Sequence, residues 1–405
     1  MELLSPAGDY NKCKYAFHYG ADAVYMGSGF SLRKGADNSL ENIKKSIDLA
    51  NNLGKKVYLA ANIFFHNKHI EGFKSYLKEI YELKPHALIV SDFAMIDYIA
   101  NKYPDLEIHV STQASVTNYE TAKLVKKLGA TRIIPARELH LQEIAEIIEK
   151  AEIDIEVFCH GALCMAYSGR CMLSAYFTRQ GNTNAKKEKN KRLRDANQGD
   201  CSHPCRWDYQ LIERMRPGEQ ITVSEEDGYL RFFNSRDLCL IKRIEDLKNS
   251  GICSLKIEGR MKSAYYVAIT ALAYREAIGS GYSENCFDLV DSVSHRPFTE
   301  GFIMGDESVE QGVVQGGYIR KTRFLGTVDE ILKPGEYRIK VLNKILPDDE
   351  IEILSPDMKI KKLNKNDFSL QDENGNAIEF AGIHSGLIFK TGYSLKPMDI
   401  LRKKL

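Results

Sequence analysis

The feature that most constrains this chain is a series of eight short apolar runs that alternate with amphipathic segments in the first 260 residues. The runs are continuously apolar, which is typical of strands buried on both faces of a parallel sheet. The segments between them follow a helical period, as in 39–54, where Leu40, Ile43 and Ile47 recur and Gly54 supplies a stop. The predicted strands are 2–6, 23–27, 56–64, 87–91, 107–112, 132–136, 153–158 and 254–259.

Eight strands that alternate with helices predict an α/β fold of the (β/α)8 barrel type. A doubly wound open sheet is the alternative, but no G-x-G-x-x-G follows the first strand, and we interpret GSG at 27–29 as a tight turn. After the seventh strand, about 75 residues (161–235) precede the next predicted helix at 235–251. This segment is too long for a connector and indicates a functional insertion.

The pattern changes near residue 320 to short β-like runs separated by Gly, Asn-Gly and Pro. We therefore predict a barrel domain at 1–300, a linker at 301–320 and a small all-β barrel domain at 321–405. The strands expected in the second domain are FLGTVDEI (324–331), EYRIKVL (336–342), DEIEIL (349–354), AIEFAG (377–382) and GLIFKTG (386–392).

Composition limits the classes of function. Hydrophobic residues make up 43% of the 405 and charged residues 27%, which is typical of a folded globular chain. The net charge is +1, so any nucleic-acid surface must be local. No apolar stretch approaches the ~18 residues of a membrane span, and the N-terminus lacks a secretory pattern. We expect no membrane partner and a cytoplasmic location. In that compartment the clustered ones among the nine cysteines are expected to be metal ligands or catalytic groups and not disulfides.

Five cysteines fall where a barrel carries its active site, at the carboxyl ends of the strands. Cys164 and Cys171 follow the seventh strand, Cys201 and Cys205 lie in the insertion, and Cys239 falls in the first turn of the next predicted helix. Convergence predicts a metal site, with chance clustering as the alternative. The spacing favours an iron–sulfur cluster over zinc, because only one pair of these cysteines has zinc-knuckle spacing. Zinc remains an open alternative. We interpret the other cysteines as packing residues: Cys13, Cys159, Cys253 and Cys286.

The segment after the sixth helix resembles the signature of peptidase family U32, the collagenase-like peptidases. The matching residues are Glu156, Phe158, Gly161, Cys164, Ser168, Gly169, Cys171 and Ser174. The resemblance continues over nearly the whole chain, in the blocks SPAGD, GADAVYMG, STQAS, PARE, NQGDCSHPCRW, NSRDLC, LKIEGRMKSAYYV and SHRPFTEGF. The length and the RDANQG-C-x3-C-RW block are similar to the branch of the family that acts in tRNA hydroxylation.

This resemblance implies an RNA-modifying oxidoreductase required for 5-hydroxylation of the tRNA wobble uridine, with tRNA as partner and prephenate as a co-substrate. Relatives act in ribosomal RNA cytidine hydroxylation and in oxygen-independent ubiquinone hydroxylation. It also implies a 4Fe–4S cluster on Cys164, Cys171, Cys201 and Cys239, although some relatives use the position of Cys205 instead of Cys239.

Two other functions remain open. The first is the family's namesake peptidase activity, for which the chain lacks both H-E-x-x-H and G-x-S-x-G. Cys159 and His160 could form a catalytic pair only with difficulty, because neighbours in a strand point to opposite faces. The second is an RNA-binding scaffold for another enzyme.

Polar residues near the strand ends are candidates for binding and catalysis. Arginines bind carboxylates through two parallel hydrogen bonds, which suits a small dicarboxylate such as prephenate. The alternative is a structural Arg–Glu network that closes the barrel mouth, with a hydrogen-bonded structural histidine. The predicted catalytic residues are His160 and Glu258, and the predicted substrate-binding residues are Gln113, Arg137, Lys256 and Arg260.

A basic run at 184–194 contains six basic residues and one Glu. It could follow a phosphate backbone, or it could be a solvated loop. Tyr167, Tyr176 and Trp207 could stack on an extruded base or pack inside the protein. The predicted RNA-binding residues are Lys186, Lys187, Lys189, Lys191 and Arg192.

Overall fold

The computed structural model describes residues 1–405 apart from 28, 33–37, 165, 179–193, 207–224, 227–228, 231–235, 306–317 and 384–385. Eight parallel strands close a barrel, because the last of them pairs with both the seventh and the first. This closure confirms the barrel and excludes the open sheet. The barrel strands are β1 (Glu2–Pro6), β2 (Ala23–Gly27), β3 (Lys56–Ala61), β4 (Ala87–Val90), β5 (Glu107–Val110), β6 (Arg132–Ile133), β7 (Asp154–Ala162) and β11 (Ser254–Ile257).

Helices surround the barrel, and their N-termini are capped by short polar side chains. Asp9, Ser39, Asp92, Asn118 and Ser263 each accept a backbone N–H in the first helical turn. The helices are α1 (Tyr10–His18), α2 (Leu40–Leu53), α3 (Asn67–Glu82), α4 (Phe93–Lys102), α5 (Tyr119–Lys127), α6 (Leu141–Ala151), α7 (Leu173–Thr178), α8 (Ile244–Asn249), α9 (Ala264–Ser280) and α10 (Glu284–Ser292).

The upper part of β7 differs from the prediction. Residues 237–239, expected to begin a helix, form strand β10 (Asp237–Cys239), which pairs antiparallel with β7 from Ala162 to His160. β7 extends above the end of β11, and β10 satisfies the backbone groups that this extension would leave unpaired. The predicted helix is reduced to α8. Three short strands complete this region, β8 (Glu225–Glu226), β9 (Tyr229–Leu230) and β12 (Phe298–Thr299), and β12 adds parallel to β10.

The C-terminal region is an antiparallel seven-stranded half-barrel, which confirms the predicted all-β domain. Segment 377–382 was expected to be a strand, but it contributes only isolated bridges, at Ala377 and Ala381. The strands are β13 (Thr322–Lys333), β14 (Glu336–Val341), β15 (Ile351–Leu354), β16 (Ile360–Leu363), β17 (Phe368–Gln371), β18 (Gly386–Thr391) and β19 (Ile400–Lys404).

The half-barrel packs against α1 and α9. The Tyr19 hydroxyl donates to the carbonyls of Leu354 and Met398, at 3.1 and 2.9 Å. Tyr265 stacks on Phe324 with ring centroids 4.9 Å apart. Within the described part of the chain, no helix combines the length and apolar character needed to cross a membrane.

Candidate active site at the barrel mouth

A cavity of about 130 Å³ lies at the carboxyl ends of the barrel strands, beneath the start of the insertion. It brings together all four predicted substrate-binding residues and one of the two predicted catalytic residues. Predicted residues on its wall are Gln113, Arg137, Lys256, Glu258, Arg260, Cys164, Cys171 and Cys201, and Cys205 joins them.

The floor of the cavity is a buried chain of charges. Lys256 Nζ lies 2.8 Å from Glu156 Oε1, and both side chains are buried. Arg132 lies 3.4 Å from the other oxygen of Glu156 and 2.6 Å from Glu2. Burial lowers the pKa of Lys256, and the attraction of Glu156 opposes this shift. The floor therefore places a paired cation under the cavity.

Arg137 is the cation best placed to bind a ligand. Its guanidinium lies over the ring of Phe158, 4.2 Å from the centroid. Its Nε is buried and finds no hydrogen-bond partner among the described residues. A buried donor without a partner is costly unless a ligand or water occupies it. The guanidinium of Arg137 can therefore donate a hydrogen bond to an anion in this cavity.

Arg260 is engaged differently from the prediction. Its guanidinium donates to the Ser31 hydroxyl at 3.0 Å and to the carbonyl of Leu32, which ties the end of β11 to the loop after β2. No ion pair joins Arg260 to Glu258 among the described residues, so the expected Arg–Glu network at the mouth is not formed there. The carboxylate of Glu258 is half-buried on the cavity wall.

Amide groups form the side of the cavity near β3 and β5. Asn62 Nδ2 donates to the Ser111 hydroxyl at 3.0 Å and to Gln113 Oε1 at 3.2 Å. The Ser111 hydroxyl also donates to Gln113 Oε1 at 2.6 Å. Because each of these groups orients the next, the Gln113 side chain is held in one position before any ligand binds.

The loop 166–170 covers the mouth and is attached to it by polar contacts. Glu138 accepts from both the backbone N–H and the hydroxyl of Ser168, and Arg170 donates to the Gln113 carbonyl at 3.1 Å. Gly169 has φ +84°, and a Cβ there would lie 2.6 Å from Gln113 Nε2. Only glycine fits both the backbone conformation and this close approach.

A second set of contacts draws the cysteine-bearing segments together. The side-chain amide of Asn197 accepts from the N–H of Cys171 at 3.1 Å and donates to its carbonyl at 3.0 Å. The backbone N–H of Ser202 donates to the Ser174 hydroxyl at 2.9 Å. These contacts bring the stretch after β7 and the stretch 197–205 to one side of the cavity.

Four thiols consequently line the cavity, those of Cys164, Cys171, Cys201 and Cys205. Cys164 is exposed and the other three are half-buried. Within the described ranges, no three His, Cys, Asp or Glu side chains are close enough together to hold a metal ion. The four thiols share a cavity but do not form a closed ligand cluster.

Cys239 and His160 lie elsewhere, on paired positions of β10 and β7 that face α9. Cys239 accepts a weak contact from the Tyr274 hydroxyl at 4.0 Å, and burial raises the pKa of its thiol to about 12. Burial lowers the pKa of His160 to about 3, and its ring is surrounded by Tyr266, Tyr274 and Phe298. Neither residue is on the wall of the cavity. Their predicted roles are therefore not supported by position.

The predicted RNA-binding residues Lys186, Lys187, Lys189, Lys191 and Arg192 lie outside the described residues, as does Trp207. Tyr167 and Tyr176 are described, and both are more than half exposed. They are surface aromatics close to the cover of the cavity.

A second cavity adjoins the first on the β6–β7 side. Arg137, Phe158, Leu163 and Cys164 line both cavities. The guanidinium of Arg137 thus stands in the wall between two spaces.

Sequence reasoning missed the residues that hold the site together. These residues, Ser111, Ser168 and Asn197, belong to no motif that indicates a chemical role. Their hydrogen-bond partners are 2, 30 and 26 residues away in the chain. The signal for two of them was present, because Ser168 falls in the block with Gly169 and Asn197 is the first residue of NQGDC.

A closed α/β barrel with a cysteine-bearing cover and an appended half-barrel defines the class of this protein. The profile of peptidase family U32 matches residues 8–312, and that of the peptidase family U32 C-terminal domain matches 320–402. The chain belongs to peptidase family U32.

Named relatives share most of its length. It is 37% identical over 422 residues to the tRNA hydroxylation protein P of Haemophilus influenzae, covering 89% of this chain and 88% of that protein. It is 34% identical over 416 residues to the tRNA hydroxylation protein P1 of Bacillus subtilis, covering 99% and 94%. It is also 32% identical over 357 residues to a 23S rRNA 5-hydroxycytidine synthase of Escherichia coli, covering 84% of this chain and 50% of that protein.

Proposed function

We propose that this protein is an oxidoreductase that hydroxylates C5 of the wobble uridine of tRNA in the cytoplasm. The observation that carries this proposal is one cavity with four thiols on its cover and an arginine on its wall, Arg137, whose Nε has no hydrogen-bond partner among the described residues. The names of the two most complete relatives described above supply the class of substrate. Replacing C5–H by C5–OH with water as the oxygen source releases two electrons and two protons, so the reaction requires a redox centre and an electron acceptor.

Thiolates suit an iron–sulfur cluster, which would supply electron transfer when bound. We propose that Cys164, Cys171, Cys201 and Cys205 hold it, since these four line the same cavity. Cys205 then takes the place expected for Cys239, whose thiol is buried behind β7 and carries a raised pKa.

A small dicarboxylate of the prephenate type would bind through Arg137. This guanidinium has an unsatisfied buried N–H, whereas Arg260 already donates to Ser31 and Leu32. A planar guanidinium can donate two parallel hydrogen bonds to one carboxylate. Lys256 adds positive potential from below, reduced by its pairing with Glu156.

Glu258 is the acid–base group that position supports. Its carboxylate lies on the cavity wall and has no ion pair with a described residue, so it can accept a proton from bound substrate. The His160 ring packs against three aromatic rings outside the cavity and does not line it. Gln113, held by Ser111 and Asn62, offers a fixed amide to the uracil base.

The peptidase alternative gains no support from the pair that the sequence offered. Cys159 and His160 are both fully buried, and burial raises the pKa of the Cys159 thiol well above its ordinary value. A nucleophilic cysteine needs a lowered pKa and access to substrate.

The test combines tRNA analysis with a matched pair of variants. Cells that lack the protein should lose 5-hydroxyuridine from tRNA in nucleoside mass spectrometry, and the wild-type gene should restore it. Anaerobically purified wild-type protein should contain iron, Cys205→Ser should lose most of it, and Cys239→Ser should retain it. Unchanged 5-hydroxyuridine in the deletion strain would overturn the function. Iron lost from Cys239→Ser and kept in Cys205→Ser would reverse the ligand assignment.

A further inference from the structure

A wide cleft separates the top of the barrel from the half-barrel. Its volume is about 640 Å³, far larger than that of the mouth cavity. The segment 259–266, after β11, forms one wall. The other wall includes Tyr318, Arg320, Arg323 and Asn343 of the half-barrel region. Each domain thus contributes one side.

The cleft is continuous with the mouth cavity. Glu258 and His203 line both spaces, so a polymer lying in the cleft passes directly beside the opening of the cavity. A ligand in the cavity can therefore be part of a longer polymer that continues along the cleft.

Three cations on the cleft make no ion pair with any residue that the structure describes: Lys262, Arg320 and Arg323. Neighbouring cations behave differently, since Lys321 pairs with Asp291 and Arg402 pairs with Glu352 at 3.0 Å. Among the described residues that line the cleft, the acidic side chain is that of Glu258. The cations remain available for an anionic partner.

Aromatic and apolar side chains lie among these cations. Tyr318 is 42% exposed, and Lys262 Nζ lies 4.6 Å from the centroid of its ring. Met261 is 61% exposed on the opposite wall. Cations beside an exposed aromatic ring are typical of grooves that follow a single-stranded nucleic acid.

The two walls are held at a set distance. Tyr265 stacks on Phe324, and its hydroxyl lies 2.8 Å from Thr322 Oγ1. Arg402 of β19 donates to the Ser292 hydroxyl at 3.0 Å. The cleft is therefore formed before a partner arrives, which reduces the entropic cost of binding.

We propose that this cleft binds the sugar–phosphate backbone of the RNA that adjoins the nucleotide entering the mouth, so that the half-barrel is an RNA-binding element. This inference rests on the proposed function, because it takes RNA as the substrate. Arg320 and Arg323 contact phosphates from one wall, and Lys262 contacts them from the other.

The experiment compares unmodified tRNA transcript binding to the full-length wild type and to Arg320→Gln/Arg323→Gln, by fluorescence anisotropy at several salt concentrations. Each lost phosphate contact should flatten the slope of log K against log salt by about 0.7–0.9. We expect a slope reduced by about 1.5 for the double variant, and affinity at low salt reduced tenfold or more. The matched control is Lys362→Gln/Lys365→Gln, which removes two exposed charges from the same half-barrel outside the cleft and should bind as wild type does.

The outcomes separate this inference from the proposed function. Wild-type protein that binds no tRNA contradicts the proposed function itself. Wild-type binding with an unchanged slope in Arg320→Gln/Arg323→Gln contradicts the cleft alone. If that variant misfolds, Lys262→Gln on the barrel wall decides, with an expected slope change of about 0.7–0.9. An equal slope for Lys262→Gln and wild type then overturns the inference.

Discussion

The floor and the cover of the mouth cavity are built in opposite ways. The floor consists of strand residues whose charges are buried and paired, as Lys256 is with Glu156. The cover consists of loops joined by a few side-chain contacts, such as Glu138 to Ser168, and its cysteines are half-buried or exposed. The floor is part of the folded barrel, whereas the cover depends on loop contacts and leaves its thiols at least partly accessible.

This difference divides stability from function. Substitutions in the floor should be felt mainly in the global free energy of unfolding, because they leave a buried charge without its partner. Substitutions in the cover should mainly change the free energy of local opening and the activity. The predictions below test that division, in order of decreasing effect on stability.

Glu156→Gln should lower the free energy of unfolding by about 3–5 kcal/mol, because it leaves the buried Lys256 ammonium without a carboxylate. Urea denaturation followed by circular dichroism measures this. The double variant Glu156→Gln/Lys256→Met removes both charges and should recover part of the loss. A loss below about 1 kcal/mol in the single variant would show that the floor does not depend on this pair.

Gly169→Ala should cost about 1–3 kcal/mol, since a Cβ at φ +84° also meets Gln113 Nε2. The cost should appear as faster hydrogen exchange and proteolysis of the cover, with a smaller change in global unfolding. Gly279→Ala is the control, because a Cβ there meets nothing within 4 Å and a helix interior favours Ala. Equal rates of hydrogen exchange in the cover of both variants would show that close packing at Gly169 does not stabilise the cover.

His160, which is buried on the upper part of β7 outside the cavity, gives a test through pH. Its pKa is about 3 in the folded protein because of burial, against 6.5 ordinarily. Between these values the unfolded chain binds more protons, so His160 should reduce stability as pH falls from 6.5 towards 3. His160→Phe should flatten the acid limb of a plot of unfolding free energy against pH. An identical acid limb in wild type and variant would mean that His160 is solvated.

Arg137→Lys should leave the free energy of unfolding within about 0.5 kcal/mol of wild type, because the arginine makes no ion pair with a described residue. The planar fork is lost, so 5-hydroxyuridine in cellular tRNA should fall about tenfold. Nucleoside mass spectrometry and iron content measured on the same strains separate ligand binding from cluster loss. Arg338→Lys on the surface of the half-barrel is the control. Normal modification in Arg137→Lys would place the acid elsewhere.

Much of the fold was predictable because its signals are local. Each barrel strand is a short apolar run, and the observed strands lie within or beside the predicted ones. β10 was missed because it is three residues long and depends on pairing with the distant upper end of β7. The following residues also have helical spacing, which masked the strand.

The site was predictable as a set of residue types at strand ends but not as a set of contacts. Lys256 and Glu156 are 100 residues apart, and nothing in either neighbourhood indicates that they pair. Arg260 was predicted to bind substrate or to join an Arg–Glu network, yet its side chain donates to the Ser31 hydroxyl. Cys205 joins the cavity through contacts of Asn197 and Ser174 that only the folded insertion creates.

The pairing of Ala162 with Asp237 also bears on how large a change in length the insertion can tolerate. The insertion leaves and re-enters the sheet at neighbouring residues, so topologically it is the turn of a very long hairpin. Closing such a turn costs only about 0.6 kcal/mol more each time its length doubles. Residues can therefore be gained or lost between these two points at little expense to the barrel beneath. The insertion that covers the cavity can therefore change while the barrel keeps its structure.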